Sequence, residues 1–488
     1  MDKILQFFRK QRFKILLVLV LLTSFFLKLH NLNYNSPFND EAIYVVVGKV
    51  GLFEKDWVTL APFQWMAGVP YFYPTVTAVA YKIGGIAASR AVNVIFFTFT
   101  TYIIYKIAYI MRTGDVKGKA TSGIIASVVF AGSSLGYYVS RLATYDMPSF
   151  FFFALGMYYF VAAERARMLP GRKYILASIC FMAGFFFKYV VAIYIPFLLM
   201  ISYFDPKKTK YRKKAVVIYL VIPVMVSFLL FGAIESGNVL TYVNEQSALE
   251  VKSSLDELLA IIQDQINLVF VFWALGTFGY LTNKKHKEWV VITCFSAIIA
   301  AAHIFAMRAH TFDKHLLLAV GGMAVTSGIG ISLLADKIKK RNKEAYSLVL
   351  AAILVIFWGL SYVIGKQHDG SWKNTNTVMS IVQNTARSED IVLSEIGAVT
   401  QLDLYEIADP LQVYTFDWIF YDEQEGEEAI SAGVTDGYFD IIILESQDDP
   451  KSDISVSMHD LIVSNDEFDR LYSEIYADSN FNVYRRKY

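Results

Sequence analysis

The chain has 488 residues, 55% hydrophobic and 18% charged, with a formal net charge of +1 and a mean hydropathy of +0.41. Such a composition excludes an ordinary soluble enzyme, and nothing in it suggests a nucleic-acid-binding surface. Repeated apolar runs close to the length that crosses about 30 Å of hydrocarbon make it a polytopic membrane protein.

In chain order the apolar runs fall near 14–30, 89–111, 120–139, 149–163, 174–190, 191–204, 214–234, 266–282, 288–307, 316–334 and 344–364. Each is predicted to be a helix, because lipid offers backbone N–H and C=O groups no other partner. The first run is read as a retained anchor: no small-residue cleavage pattern follows it, and His30-Asn31-Leu32-Asn33 reads as an exit into a loop. Basic clusters lie at Arg9, Lys10, Arg12 and Lys14, then within 112–119, 165–173, 207–214, 284–287 and 337–343. With eleven spans all of them share the side of the N-terminus, which is therefore cytoplasmic. Segment 71–87 is accordingly assigned to the first external loop, as a part that touches the membrane. In the external loop 235–265, Ser254-Leu255-Asp256-Glu257 is a capping-box pattern, and Leu255, Leu258, Leu259, Ile262 and Ile266 recur at helical spacing. An amphipathic helix near the membrane surface is predicted there, placed to gate entry of a lipid substrate.

Beyond Gly365 the character changes. Residues 366–488 hold 25 of the 44 acidic residues and 8 of the 45 basic ones. Strand-length apolar runs at 391–393, 411–414 and 439–444 alternate with helix-like stretches at 424–432 and 457–475, the pattern of a small α/β domain. The expected organisation is an α-helical transmembrane domain over 1–365, with external loops 31–88, 140–148, 235–265 and 308–315, followed by an extracytoplasmic α/β domain over 366–488. Cys180 and Cys294 both lie in predicted spans and are read as packing residues, since neither a disulfide framework nor a metal site has enough ligands.

On this topology the remaining charges converge on the outer face. Asp40 and Glu41 follow the first span, and Arg141 and Asp146 lie between the third and fourth. Lys188 ends the fifth span, and Arg308, His310, Asp313, Lys314 and His315 lie between the ninth and tenth. Charged groups near a bilayer are costly and mark function. Cations neutralise charge on a departing phosphate, while a carboxylate takes a proton from an incoming nucleophile. Simpler readings compete. Asp40-Glu41 would cap the external helix beginning near Ala42, Arg141 and Asp146 would form a structural ion pair, Lys188 would snorkel to the interface, and His303 would be a satisfied packing histidine.

Several motifs together carry a resemblance. Asn39-Asp40-Glu41-Ala42-Ile43-Tyr44 resembles the first-loop Asp-Glu motif of the GT-C glycosyltransferases, in particular their protein O-mannosyltransferase and aminoarabinose-transferase branch. Tyr71-Phe72-Tyr73-Pro74, Ala88-Ser89-Arg90-Ala91-Val92-Asn93, Arg141-Leu142-Ala143-Thr144-Tyr145-Asp146 and Gly184-Phe185-Phe186-Phe187-Lys188 with Pro196 are similar to later pieces, in the family's order. The chain departs from the pattern at Lys314-His315, where Arg-Tyr is common, and at Tyr73-Pro74-Thr75 in place of His-Pro-Pro. It lacks the Trp-Trp-Asp-Tyr-Gly signature of the oligosaccharide-transferring relatives.

The resemblance implies inverting transfer of a single sugar from a polyprenyl-phosphate donor to an extracytoplasmic acceptor, whether protein, lipid or glycan, by a multi-pass plasma-membrane enzyme. Asp40 would be the general base, with Glu41 orienting it or stabilising its loop, and Asp146 a second carboxylate. Arg141, Lys188, Arg308, Lys314 and His315 would hold the donor phosphate, and Tyr44, Tyr73 and Tyr145 would line the substrate pocket. No cofactor is required, although Asp40 and Asp146 would be the ligands of a divalent metal if one takes part. The alternatives from other classes are a transporter and a catalytically silent glycolipid-binding or assembly protein. A transporter is disfavoured by charges gathered at one face and by the lack of an evident internal repeat.

Overall fold

The computed structural model describes residues 2–166, 170–198, 209–249, 252–283, 288–309, 311–337, 343–416, 418–446 and 459–487. Two compact units emerge: one comprises Met1–Leu32, Val58–Tyr73 and Ala87–Asp369, the other Asn33–Trp57, Pro74–Ile86 and Gly370–Tyr488.

The first unit is helical, and every one of the eleven apolar runs carries helix. Among the described residues six helices are each long and apolar enough to cross a membrane, and a seventh crossing results if the bent pair Val116–Ala131 and Ser134–Ser140 counts as one. That pair turns by 63° at Gly132-Ser133, where Ser133 Oγ accepts from Gly136 N at 3.1 Å and restarts the helix. Helix Phe312–Lys337 is buried along nearly its whole length and packs on Leu255–Leu281 and Val116–Ala131. The approach is close enough to demand glycine, since a Cβ at Gly330 would lie 1.8 Å from the Gly276 carbonyl oxygen and one at Gly279 2.1 Å from that of Gly330. Helices on the outside instead expose Leu229, Leu230, Ile234, Phe278, Val355 and Val363. Apolar surface of this extent is stable only against lipid, so the chain is a multi-pass membrane protein.

The separate surface element expected at 254–266 is corrected, and two segments expected in external loops carry helix. Segment 71–87 is largely helical: Tyr73–Met111 is one element broken at Gly84-Gly85, where Gly85 adopts φ +63°. Element Ile222–Leu249 runs into the expected loop 235–265 but is kinked at that loop's first residue, Glu235, whose φ/ψ (−113°, 15°) are non-helical. Ser254 does cap a helix, its Oγ accepting from Glu257 N at 3.1 Å; that helix continues unbroken through the span as Leu255–Leu281 rather than forming a separate surface element. Run 191–204 begins as a 3-10 turn, Tyr189–Tyr194, and residues 199–208 lie outside the described set, as do the clusters 284–287 and 338–342 and the side chain of Cys294.

The second unit contains a five-stranded sheet formed by β1 (Val392–Ser394), β2 (Val413–Thr415), β5 (Ile441–Glu445), β6 (Tyr472–Ala477) and β7 (Phe481–Arg486), in the order β2-β1-β5-β7-β6. β1 runs parallel to both β2 and β5, with Val392 opposite Val413 and Ile441, whereas β7 is antiparallel to β5 and β6. A two-stranded hairpin, β3 (Phe420–Tyr421) and β4 (Gln424–Glu425), precedes helix Gly426–Thr435. Leu393, Ile442, Leu444, Phe439, Ile430 and Phe468 form the core. The helix expected over 457–475 is corrected: among its described residues 459–463 and Phe468–Leu471 are short helices, and from Tyr472 the chain is strand.

Candidate active site

Asp146 is the first residue of helix Asp146–Glu164, where the helix dipole favours a negative charge. It is buried, and its Oδ1 accepts from the Lys188 ammonium at 2.6 Å. Lys188 ends helix Gly171–Phe187 with extended φ/ψ. Its surroundings are pinned: Tyr189 N donates to Ala67 O and Val69 N to Phe186 O, each at 2.8 Å. A Cβ at Gly68 would fall 2.2 Å from the Phe187 carbonyl oxygen, so only glycine lets segment 67–69 lie against the lysine. Ser149 Oγ donates to Gly184 O at 2.9 Å, tying the helices that carry the two charges. The Lys188 ammonium lies 4.9 Å from the centroid of the Tyr145 ring, which meets Tyr73 edge-on at 6.4 Å. Lys314 is buried, and its positive charge acts on Asp146 as well. Asp146, Lys188, Lys314, Tyr145 and Tyr73 are therefore brought together.

Arg141 is engaged elsewhere. It donates to Asn31 O at 2.8 Å, pairs with Asp369 at 3.3 Å and stacks over Tyr137 at 4.6 Å. The structural pair considered from sequence, Arg141 with Asp146, is thus replaced by two separate pairs. Arg308 and His315 belong to a corner joining two helices: His303 contacts Arg308 O through Nδ1 at 2.8 Å and His315 Nδ1 through Nε2 at 2.9 Å, and stacks on Phe312.

Asp40, Glu41 and Tyr44 lie on helix Asn39–Lys49 of the second unit. The adjacent acids differ. Glu41 is fully buried and accepts the Phe38 backbone N–H at 2.8 Å, closing the first turn, whereas Asp40 is half-buried in that turn. Tyr44 is buried, and its carbonyl accepts from Thr77 Oγ1 at 3.3 Å.

Two buried cations and one half-buried acid carry no role in the sequence analysis. Arg90 donates to Leu32 O at 2.7 Å, and Lys28 donates to Ala131 O at 2.8 Å beneath Phe97. Asp369 is the partner of Arg141. The signal for the first was available: Arg90 and Asn93 stand three residues apart in an apolar run, and Asn93 Nδ2 donates to Leu142 O and Thr144 O in the loop leading to Asp146. Among the described residues no three His, Cys, Asp or Glu side chains gather closely enough to hold a metal ion.

The fold of the chain is that of solved structures of the GT-C type. Over 97% of this chain and 98% of its own, ArnT from Cupriavidus metallidurans bound to undecaprenyl phosphate superposes with a TM-score of 0.68 at 10% sequence identity. The apo oligosaccharyltransferase of Archaeoglobus fulgidus matches at 0.59 and 11% identity, covering 98% of this chain and 75% of its own. The arabinofuranosyltransferase AftD from Mycobacteria matches at 0.55 and 12%, covering 97% and 40%. No protein-family model and no curated protein matches the chain.

Proposed function

We propose that the protein is a membrane glycosyltransferase that moves one sugar, with inversion, from a polyprenyl-phosphate donor to an acceptor outside the cytoplasm. The carrying observation is the end-to-end likeness to a sugar-transferase fold, including a structure that holds undecaprenyl phosphate. In this reading Asp40 takes the proton from the acceptor hydroxyl, and the acceptor oxygen attacks the anomeric carbon from the face opposite the phosphate. The bond from that carbon to the phosphate oxygen breaks, and polyprenyl phosphate leaves with the electron pair. Lys188 and Lys314 supply positive charge to the leaving phosphate, and the Lys188 contact to Asp146 keeps that cation placed before donor arrives. Arg141, Arg308 and His315 are assigned secondary parts in donor binding, and the tyrosines 44, 73 and 145 contact substrate. The cations make a resident metal unnecessary, so added chelator leaves turnover unchanged. Residues 1–365 form the catalytic membrane part with eleven crossings and a cytoplasmic N-terminus, and 366–488 lie outside in aid of the acceptor.

The test supplies purified protein with radiolabelled polyprenyl-phosphate monosaccharides and membrane extract. Wild type transfers label, and Asp40→Asn, still folded, loses about 10²-fold or more, the usual worth of a general base. Undiminished transfer by Asp40→Asn rejects the base assignment, and absence of transfer from every donor rejects the enzyme reading.

A further inference from the structure

We infer that Trp372 and the Lys49–Tyr405–Glu406 cluster are positioning residues for Asp40, so that the segment after the last membrane-length helix fixes the base-bearing helix at both ends. The inference rests on the assignment of Asp40 as general base. Every contact that carries it lies inside the second compact unit, which unites Asn33–Trp57 with Gly370–Tyr488.

An eleven-residue helix such as Asn39–Lys49 is marginal by itself, so its geometry must come from packing. At its start Trp372 acts as a wedge. The indole Nε1 donates to Ser36 O at 3.1 Å, Asn35 Nδ2 donates to Trp372 O at 3.0 Å, and Thr375 N donates to Ser36 Oγ at 3.0 Å. Asn35 and Ser36 are buried, which makes these bonds expensive to break. The indole ring packs 5.4 Å from Phe38, whose backbone N–H is the group that Glu41 accepts. Trp372 is therefore connected, through one residue, to the turn that carries Asp40.

At the other end Lys49 lies 3.4 Å from the centroid of the Tyr405 ring and 3.0 Å from Glu406, and the Tyr405 hydroxyl donates to Glu54, the last residue of the π-helical turn Val50–Glu54 that continues the helix. The lysine side chain is 11% exposed and that of Glu406 84%. The shielded ring contact is thus the stronger half of the clamp, and the exposed ion pair the weaker. Between the ends, a Cβ at Gly48 would lie 2.0 Å from Pro74 O, so the helix has no room to slide. Turnover that depends on proton transfer is sensitive to displacements of about 1 Å, whereas donor binding that relies on cations carried by other helices does not depend on where Asp40 stands.

The experiment compares full-length wild type with Trp372→Ala, Trp372→Phe, Lys49→Met and Lys49→Arg by hydrogen exchange of 39–49 and by sugar-transfer kinetics with the donor panel above. Trp372→Ala and Lys49→Met speed exchange in 39–49 and lower kcat by about 10-fold or more, with KM for donor within about twofold. Protection of β5 stays unchanged, which separates misplacement from unfolding. Trp372→Phe and Lys49→Arg, which keep the ring and the cation, recover most of the turnover. Faster exchange in 39–49 without loss of kcat overturns the inference, as does lost kcat without faster exchange. Asp40→Asn run alongside keeps the two readings apart. Full turnover there removes the base assignment and this inference with it; lost turnover there beside normal turnover in Trp372→Ala removes this inference alone.

Discussion

Two neighbouring acids and one buried cation illustrate what single residues reveal. Asp40 and Glu41 are chemically alike in the sequence, yet Glu41 spends its carboxylate on the Phe38 N–H while Asp40 stays half-buried. The capping reading thus describes Glu41. Lys188 was equally open to a snorkelling role, but its ammonium is buried on Asp146 rather than extended toward the interface. A buried pair of this kind is costly to break from one side, because the survivor keeps a charge without compensation. Lys188→Met is therefore expected to destabilise by about 3–5 kcal/mol, and the double variant Asp146→Asn with Lys188→Met by much less. Thermal unfolding midpoints in detergent check this, and equal losses in the two variants would show that desolvation of the pair is not the governing term.

At the scale of elements, apolar length and caps were legible and polar helix was not. Ser254 reads correctly as a helix start because its oxygen has one good local use. Residues 235–249 read as loop because Glu235, Asn238 and Asn244 are polar; the helix does break at Glu235, but beyond that kink Asn238 bonds back to Glu235 and the chain returns to helix. β7 escaped for a related reason: Arg485 is a poor strand-core residue by type, yet it is buried against Asp390 at 2.5 and 3.0 Å. Helix contact is the sharpest element-scale case, since Gly330 and Gly276 touch backbone to backbone. Gly330→Ala is expected to cost about 1–3 kcal/mol through overpacking. Gly359→Ala, whose Cβ would meet nothing within 4 Å, should be neutral or slightly stabilising. Unfolding midpoints of the two variants provide the check, and equal midpoints would show that the helices separate at no cost.

For the whole molecule, the orientation drawn from basic clusters makes a direct claim. In a chain freed of Cys180 and Cys294, Ser388→Cys should react with an impermeant maleimide in intact cells, and Lys117→Cys only after permeabilisation. The reverse pattern would invert the topology and move the proposed chemistry to the cytoplasm. Chain-wide composition announced the membrane and the acidic α/β tail, because each follows from local residue type averaged over many positions, whereas the motif order rested on a family resemblance. Partner choice does not average. That Asp146 takes Lys188, that Arg141 takes Asp369, and that Trp372 reaches Ser36 and Phe38 are selections among chemically equivalent candidates far apart in the chain. Hydropathy and charge by themselves determined that this chain spans a membrane as helices and carries an acidic α/β tail. Only tertiary packing decided which charges meet, because a buried ion is stable solely where the fold delivers its partner to within hydrogen-bonding distance.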